Sequence, residues 1–254
     1  MIGTNIAEEG ARLRLWSTRF DLMKRTYLIV GHSGGIGLSL AQKALADGHS
    51  VVGVSRRPSG LSSKALQETQ ADVLHADLTT LDWPEAIDGL AYCPGTVNLK
   101  PFRALKESDF LEDFKISALG AVRVLQAAGK ALKAGQHPGV VLFSTVAVQQ
   151  GMPFHASVAM AKGAVEGLTR SLAAEWAPSI RVNALAPSLT QTPLTSRLLS
   201  TEERIQASRD RHPLKQIGQP EDLADLALFL LSEKARWITG QVLGVDGGMS
   251  SVRT

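Results

Sequence analysis

The chain has 254 residues, with 27 basic against 24 acidic side chains, a net charge of +3 and a single cysteine. That length suits one α/β domain with a large core, and no long basic run or aromatic–basic interleaving points to nucleic acid. Cys93 alone cannot close an internal disulfide, which fits a reducing cytoplasm, and the longest apolar stretch (residues 140–148, broken by Ser144 and Thr145) is too short to cross a membrane.

Residues 1–22 are expected to be an extension outside the core, because Arg12, Arg14, Arg19 and Asp21 interrupt its apolar positions. The alternative is an amphipathic helix built on Leu13, Leu15 and Trp16. The domain proper is expected over 23–254. Its first strand, Tyr27–Val30, breaks into Gly31-His32-Ser33-Gly34-Gly35-Ile36-Gly37, and a helical pattern follows through Leu38, Leu40, Ala41, Ala44 and Leu45. Glycines permit close backbone approach to a phosphate, and the helix amino end offers free N–H groups and a positive dipole. Glycine-rich turns also serve simply to join a strand to a helix.

A second buried strand, Ser50–Ser55, ends where a dinucleotide fold reads the adenosine ribose. An acidic residue there would favour NAD; Ser55-Arg56-Arg57 instead suits a 2′-phosphate through guanidinium hydrogen bonds. The other reading is a solvated arginine pair. Further strands are predicted at Val73–Leu78, Gly89–Gly95, Gly139–Val146, Ile180–Ala186 and Gln241–Val245. Helices are predicted over Glu107–Leu132 and Ser157–Trp176, the latter with an apolar stripe at Ala161, Val165, Leu168, Leu172 and Trp176. Strands alternating with helices imply a single doubly wound parallel sheet of about seven strands, with helices on both faces.

From Lys24 to Gly248 the chain resembles a short-chain dehydrogenase/reductase. The resemblance rests on Gly31-x-x-x-Gly35-Ile36-Gly37, Asp77-Leu78, Pro94-Gly95, Lys162 in its helix, Arg181-Val182-Asn183 before Pro187, and Ile217-Gly218-Gln219-Pro220-Glu221-Asp222. Ile238-Thr239-Gly240-Gln241 and Val245-Asp246-Gly247-Gly248 complete it. It implies that Gly31, Ser33, Gly34, Gly35, Ile36 and Gly37 hold the pyrophosphate, with Ser55, Arg56 and Arg57 at the 2′-phosphate. Asp77 and Leu78 would contact the adenine, and Cys93, Pro94 and Gly95 would lie along the riboses. Pro187, Ser188, Leu189 and Thr192 would border the nicotinamide, and Lys162 would bond its ribose. The implied cofactor is NADP(H), with NAD(H) as the other possibility, although Gly34 stands where NADP-preferring relatives often carry a basic residue.

The departures from the family pattern are catalytic. The family uses asparagine, serine, tyrosine and lysine, with tyrosine as proton donor four residues before the lysine. Here that position is Val158, the serine position is Thr145, the asparagine position is Ser117, and Lys162 alone is unchanged. The chain has two tyrosines, Tyr27 in the first strand and Tyr92 in the fourth. Enoyl-acyl-carrier-protein reductases place theirs seven residues before the lysine, and here that residue is His155, a titratable group suited to proton transfer, or else a helix-start histidine. Two functions follow: an NADP(H)-dependent oxidoreductase acting on a small carbonyl or conjugated enone/enoyl substrate through Lys162, Thr145, Ser117 and His155, or a non-catalytic nucleotide-binding sensor or partner subunit. Residues 188–213 are expected to form a substrate lid, with Ser200-x-x-Glu203 as a capping box. No metal site is expected. The resemblance also implies a homotetramer or homodimer through the two long helices and the carboxyl-terminal segment.

Overall fold

The structure is a computed structural model and describes residues 24–253. The extension at 1–22 lies outside the described residues. Seven strands, β1 Thr26–Val30, β2 Ser50–Ser55, β3 Leu66–Gln70, β4 Gly89–Tyr92, β5 Gly139–Phe143, β6 Arg181–Pro187 and β7 Val242–Val245, form one parallel sheet in the order β3-β2-β1-β4-β5-β6-β7. The order reverses between β1 and β4, opening a crevice at the carboxyl ends of those strands.

Alternation along β1 shows how both faces are filled. Tyr27 and Ile29 point to one side, where α1 (Gly35–Ala46) and α7 (Pro220–Leu231) pack with Leu40, Ala44, Leu223 and Leu230. Leu28 and Val30 point to the other, against α3 (Gly120–Ala134) and α5 (Ala156–Trp176) through Val124, Leu125, Ala128 and Val165. Strands buried on both faces read as continuous apolar runs, which is why most were legible in sequence.

Several elements differ from expectation. The third strand is Leu66–Gln70, polar and largely exposed because it is the sheet's edge, and it is held by its ladder to β2 from Val51–Leu66 to Ser55–Gln70. The apolar residues at 73–78 instead form a turn: Val73 and Leu78 are buried, while the carboxylates of Asp72 and Asp77 accept from the N–H of Leu74 and Thr79 (both 3.0 Å). The helix predicted over 107–132 runs from α2 (Glu107–Phe114) through a π-helical turn at Lys115–Leu119 into α3. There the Tyr92 hydroxyl donates to the Ile116 carbonyl (2.7 Å), and a Cβ at Gly120 would collide with that hydroxyl. A side chain inserted into the backbone ladder is a standard cause of such a bulge. Finally, α6 (Glu202–Arg211) is capped by Thr201, whose hydroxyl accepts from the N–H of Arg204 (3.4 Å), not by Ser200.

The fifth strand ends at Phe143, and Ser144–Val146 continue as a loop before the short helix α4 (Ala147–Gln150). No helix among the described residues is long and apolar enough to cross a membrane.

Candidate active site

Two clefts meet above the carboxyl ends of the strands. The first, about 500 Å³, runs over the β1–α1 turn and the ends of β2 and β4. Gly34 caps α1 with no side-chain hydrogen bond, so the cap residue leaves the first-turn N–H groups uncovered, and a Cβ at Gly34 would meet nothing within 4 Å. At Gly37 a Cβ would strike the Gly31 carbonyl, so the turn closes only without a side chain there. An open, uncapped helix amino end of this kind fits a phosphate. The turn is braced from below by His32, buried across Gly53 of β2, whose Nε2 lies 2.6 Å from Glu68 Oε1 on β3. Nothing in the sequence pattern signals this pair, since Glu68 sits in a polar edge strand without apolar periodicity.

Arg56 and Arg57 are exposed at the end of β2, and their guanidinium groups bond no other described residue; Ser55 Oγ ties the turn by donating to the Arg57 carbonyl (2.5 Å). The far wall corrects one expectation. Asp72, Val73 and Leu74 line the cleft, whereas Asp77 and Leu78 do not. The Asp77 carboxylate is taken by the hydroxyl (2.6 Å) and N–H of Thr79, and Leu78 is turned into the core. The sequence repeats aspartate followed by an aliphatic residue at 72–73 and 77–78. Only the position of β3 shows that the first copy faces the cleft. Pro94 packs beneath Gly31. Burial pushes the Cys93 thiol up to about 12, so it stays protonated and acts as a wall rather than a nucleophile.

The second cavity, about 760 Å³, joins the first at Ile36, Cys93, Gly95, Thr192 and Leu194. Its floor carries Lys162, whose Nζ donates to the Phe143 carbonyl (2.8 Å) and fits because Gly95 has no side chain to meet it. Desolvation lowers the Lys162 ammonium to about 8, partly opposed by the negative charge of Asp113. Thr145, Val158 and His155 also line this cavity. The Thr145 hydroxyl accepts from the Ala147 N–H (3.3 Å), while Ser144 turns away to Glu166 Oε1 (2.8 Å). His155 Nδ1 lies 2.7 Å from the Pro153 carbonyl. No tyrosine lines the cavity: Tyr27 is in the core and Tyr92 borders the first cleft.

Ser117 is not brought into the cavity. It is buried in the π turn with a hydroxyl that has no protein partner, one turn after Asp113, whose carboxylate accepts from Thr96 Oγ1 (2.6 Å) and leaves its other oxygen unpaired. Pro187, Ser188, Leu189 and Thr192 all line the second cavity, as does the outer segment through Leu198, Ala207, Ser208 and His212. Among the described residues no three His, Cys, Asp or Glu side chains gather as a metal site.

The family model described as enoyl-(acyl carrier protein) reductase matches residues 30–250. The chain belongs to the short-chain dehydrogenase/reductase family. It is 32% identical over 238 residues to L-xylulose reductase of Bos taurus, covering 89% of this chain and 97% of that protein. It is 30% identical over 252 residues to the 3-oxoacyl-[acyl-carrier-protein] reductase MabA of Mycobacterium tuberculosis, covering 97% and 98%. A solved short-chain dehydrogenase/reductase from Brucella melitensis superposes with a TM-score of 0.82 at 28% identity, covering 92% of this chain and 99% of that one. Within this short-chain dehydrogenase/reductase, the first cleft is the natural place for a dinucleotide and the second for the molecule it reacts with.

Proposed function

We propose that the protein is an NADP(H)-dependent oxidoreductase acting on a small carbonyl or conjugated enone/enoyl substrate, with an active site built around Lys162 and Thr145 in place of a tyrosine. The observation that carries this reading is the junction of the glycine-cradled cleft with a mostly apolar cavity at Gly95, against which Lys162 lies. When bound, a reduced nicotinamide supplies the hydride. Lys162, positioned by the Phe143 carbonyl, would hold positive charge toward a bound nicotinamide ribose. Thr145 offers a hydroxyl to a substrate oxygen that gains negative charge, the kind of stabilisation that favours enone or enoyl reduction through an enolate. Val158 contributes apolar surface beside them.

Preference for NADP(H) rests on Arg56 and Arg57, two guanidinium groups at the end of β2 with no carboxylate bonded to them. Charged hydrogen bonds of this kind are worth about 1.5–3 kcal/mol. Arg56→Ala should therefore weaken NADPH by roughly 10- to 100-fold in calorimetric titration while leaving NADH within a few-fold. Equal affinity of the unaltered protein for both would remove the preference, and failure to bind either would remove the oxidoreductase reading. The absence of any tyrosine from the cavity favours a second reading, a nucleotide-binding sensor or partner subunit without turnover. Val158→Tyr separates the two: carbonyl reduction that appears only in that variant supports the non-catalytic reading. The protein is further proposed to assemble as a homodimer or homotetramer through α2–α3 and α5, where Leu119 and Met160 are exposed apolar residues. A monomer in light scattering at micromolar concentration would refute this.

A further inference from the structure

An oxidoreductase cavity without a tyrosine needs another source for the proton that accompanies the hydride. We propose that Ser188 and His212 form that source, Ser188 as the group touching the substrate oxygen and His212 as a positioning residue that refills it; this rests on the oxidoreductase reading above. Ser188 follows the last residue of β6 and lines the second cavity. Its Oγ lies 2.8 Å from Nε2 of His212, which follows the last residue of α6, is 2% exposed and lines the same cavity.

The other ring nitrogen fixes the direction of proton flow. Nδ1 of His212 is 2.6 Å from the Ser208 carbonyl, a group that only accepts, so Nδ1 carries a hydrogen in every protonation state. The neutral ring then has Nε2 as its only free lone pair, and the Ser188 hydroxyl donates to it. In the imidazolium, Nε2–H donates to Ser188 Oγ, and the serine hydrogen is released to point into the cavity or toward Met249 Sδ (3.1 Å). A proton on His212 therefore has one way out, through Ser188.

Among the described residues, Asp246 and Arg211 are charged groups beside the ring, Arg204 lines the same cavity, and Lys215 donates its backbone N–H to the His212 carbonyl (2.9 Å). Asp246, just after β7, acts on His212 electrostatically while its own oxygens accept from the N–H groups of Gly248 and Ser250 (both 2.9 Å). Arg211 turns its guanidinium to Ser208 Oγ (3.3 Å). Gly247 packs on the ring, where an added Cβ would lie 3.5 Å from His212 Cβ. The built surroundings leave the imidazole little freedom to turn.

The step balances as follows. The substrate's carbonyl carbon accepts a hydride, and the C=O π pair moves onto oxygen. That oxygen takes the Ser188 hydrogen and Ser188 Oγ takes the Nε2 hydrogen of the imidazolium; once the product has left, the Ser188 hydroxyl passes its hydrogen to the neutral Nε2 and takes one from water entering the cavity, which restores the imidazolium. In the oxidative direction Ser188 receives the alcohol hydrogen and passes its own to Nε2. For an enone the same hydrogen goes to the enolate oxygen.

The test uses the NADPH-saturated protein with a panel of ketones, quinones, enones and enoyl thioesters. Ser188→Ala and His212→Gln should lower kcat about 10²- to 10⁴-fold, with KM and NADPH affinity changed no more than a few-fold. Ser188→Thr should keep most of the activity, and added imidazole should restore turnover to His212→Ala. Nitrogen-15 NMR of the imidazoles, which needs no substrate and no variant, should show neutral His212 with hydrogen on Nδ1. Turnover that survives both Ser188→Ala and His212→Gln, or a neutral His212 with hydrogen on Nε2, overturns the relay alone. A protein that binds NADPH yet turns over nothing in the panel removes the oxidoreductase reading and the relay with it.

Discussion

Replacing Lys162 by methionine separates what the buried ammonium contributes to catalysis from what it costs the fold. The side chain is buried, and desolvation brings its pKa from 10.5 to about 8. A group whose folded pKa lies below its unfolded value favours the unfolded state while protonated. Its penalty is fully present below the folded pKa and disappears as pH rises toward the unfolded one. A displacement of this size corresponds to about 3 kcal/mol at pH 7, falling to roughly half that by pH 9.5. The loss of the hydrogen bond to Phe143 works the other way, since a bond from a charged donor contributes about 1.5–3 kcal/mol. Lys162→Met, of similar length and apolar, should thus be as stable as the parent protein or up to about 1–2 kcal/mol more stable at pH 7 by urea denaturation without nucleotide. The decisive quantity is the difference between the two proteins across pH. Burial also raises Cys93 to about 12, Tyr27 to about 12 and Tyr92 still further, so these destabilise both proteins in alkali and cancel to first order in the comparison. From pH 7 to 9.5 the parent should gain on the variant by about 1–2 kcal/mol. A difference that stays constant with pH would mean that Lys162 is not desolvated, and the account of its charge would fail. NADPH oxidation should be lost in the variant throughout.

Gly120→Ala places a methyl group against the Tyr92 hydroxyl and should cost about 1–3 kcal/mol in thermal or urea denaturation; with Tyr92→Phe the colliding oxygen is gone, so the double variant should recover part of that loss. Additive costs in that cycle would show that the two do not share the space. Arg181→Ala should be more damaging, on the order of 3–5 kcal/mol, because the buried guanidinium donates to the carbonyls of Leu230, Ala235 and Ser232 and so closes the carboxyl end of α7. A loss below about 1 kcal/mol in urea denaturation would argue that water replaces it. Gly37→Ala should abolish nucleotide binding in calorimetry, since the methyl would meet the Gly31 carbonyl in a turn with no slack. Retained affinity would refute the cradle.

Period and punctuation in the chain carried most of the architecture. Runs such as Tyr27–Val30 and Val140–Phe143 are apolar on successive residues because both sheet faces are covered, and that pattern survives without any knowledge of neighbours. The glycine turn was legible for a related reason: a backbone that must lie close to itself or to a ligand excludes side chains, and the exclusion is written in residue type. Lys162, Thr145 and Val158 were likewise ordered by their spacing before and along one helix, and the structure brings all three to one cavity. What sequence could not decide depends on partners distant in the chain. The edge strand Leu66–Gln70 has little apolar pattern and exists through backbone pairing to β2, so the spacing of residues points to Asp77 whereas Asp72 faces the cleft. The π turn at 115–119 follows from one hydroxyl, that of Tyr92, reaching a carbonyl 24 residues away, and it leaves Ser117 outside the cavity. Ser188 and His212 likewise stand 24 residues apart, and each alone reads as a loop serine or one more basic residue of an exposed helix. Their hydrogen bond arises only when β6 and the end of α6 close over the same cavity, because the direction of a lone pair is set by three-dimensional packing and has no periodic signature in the chain.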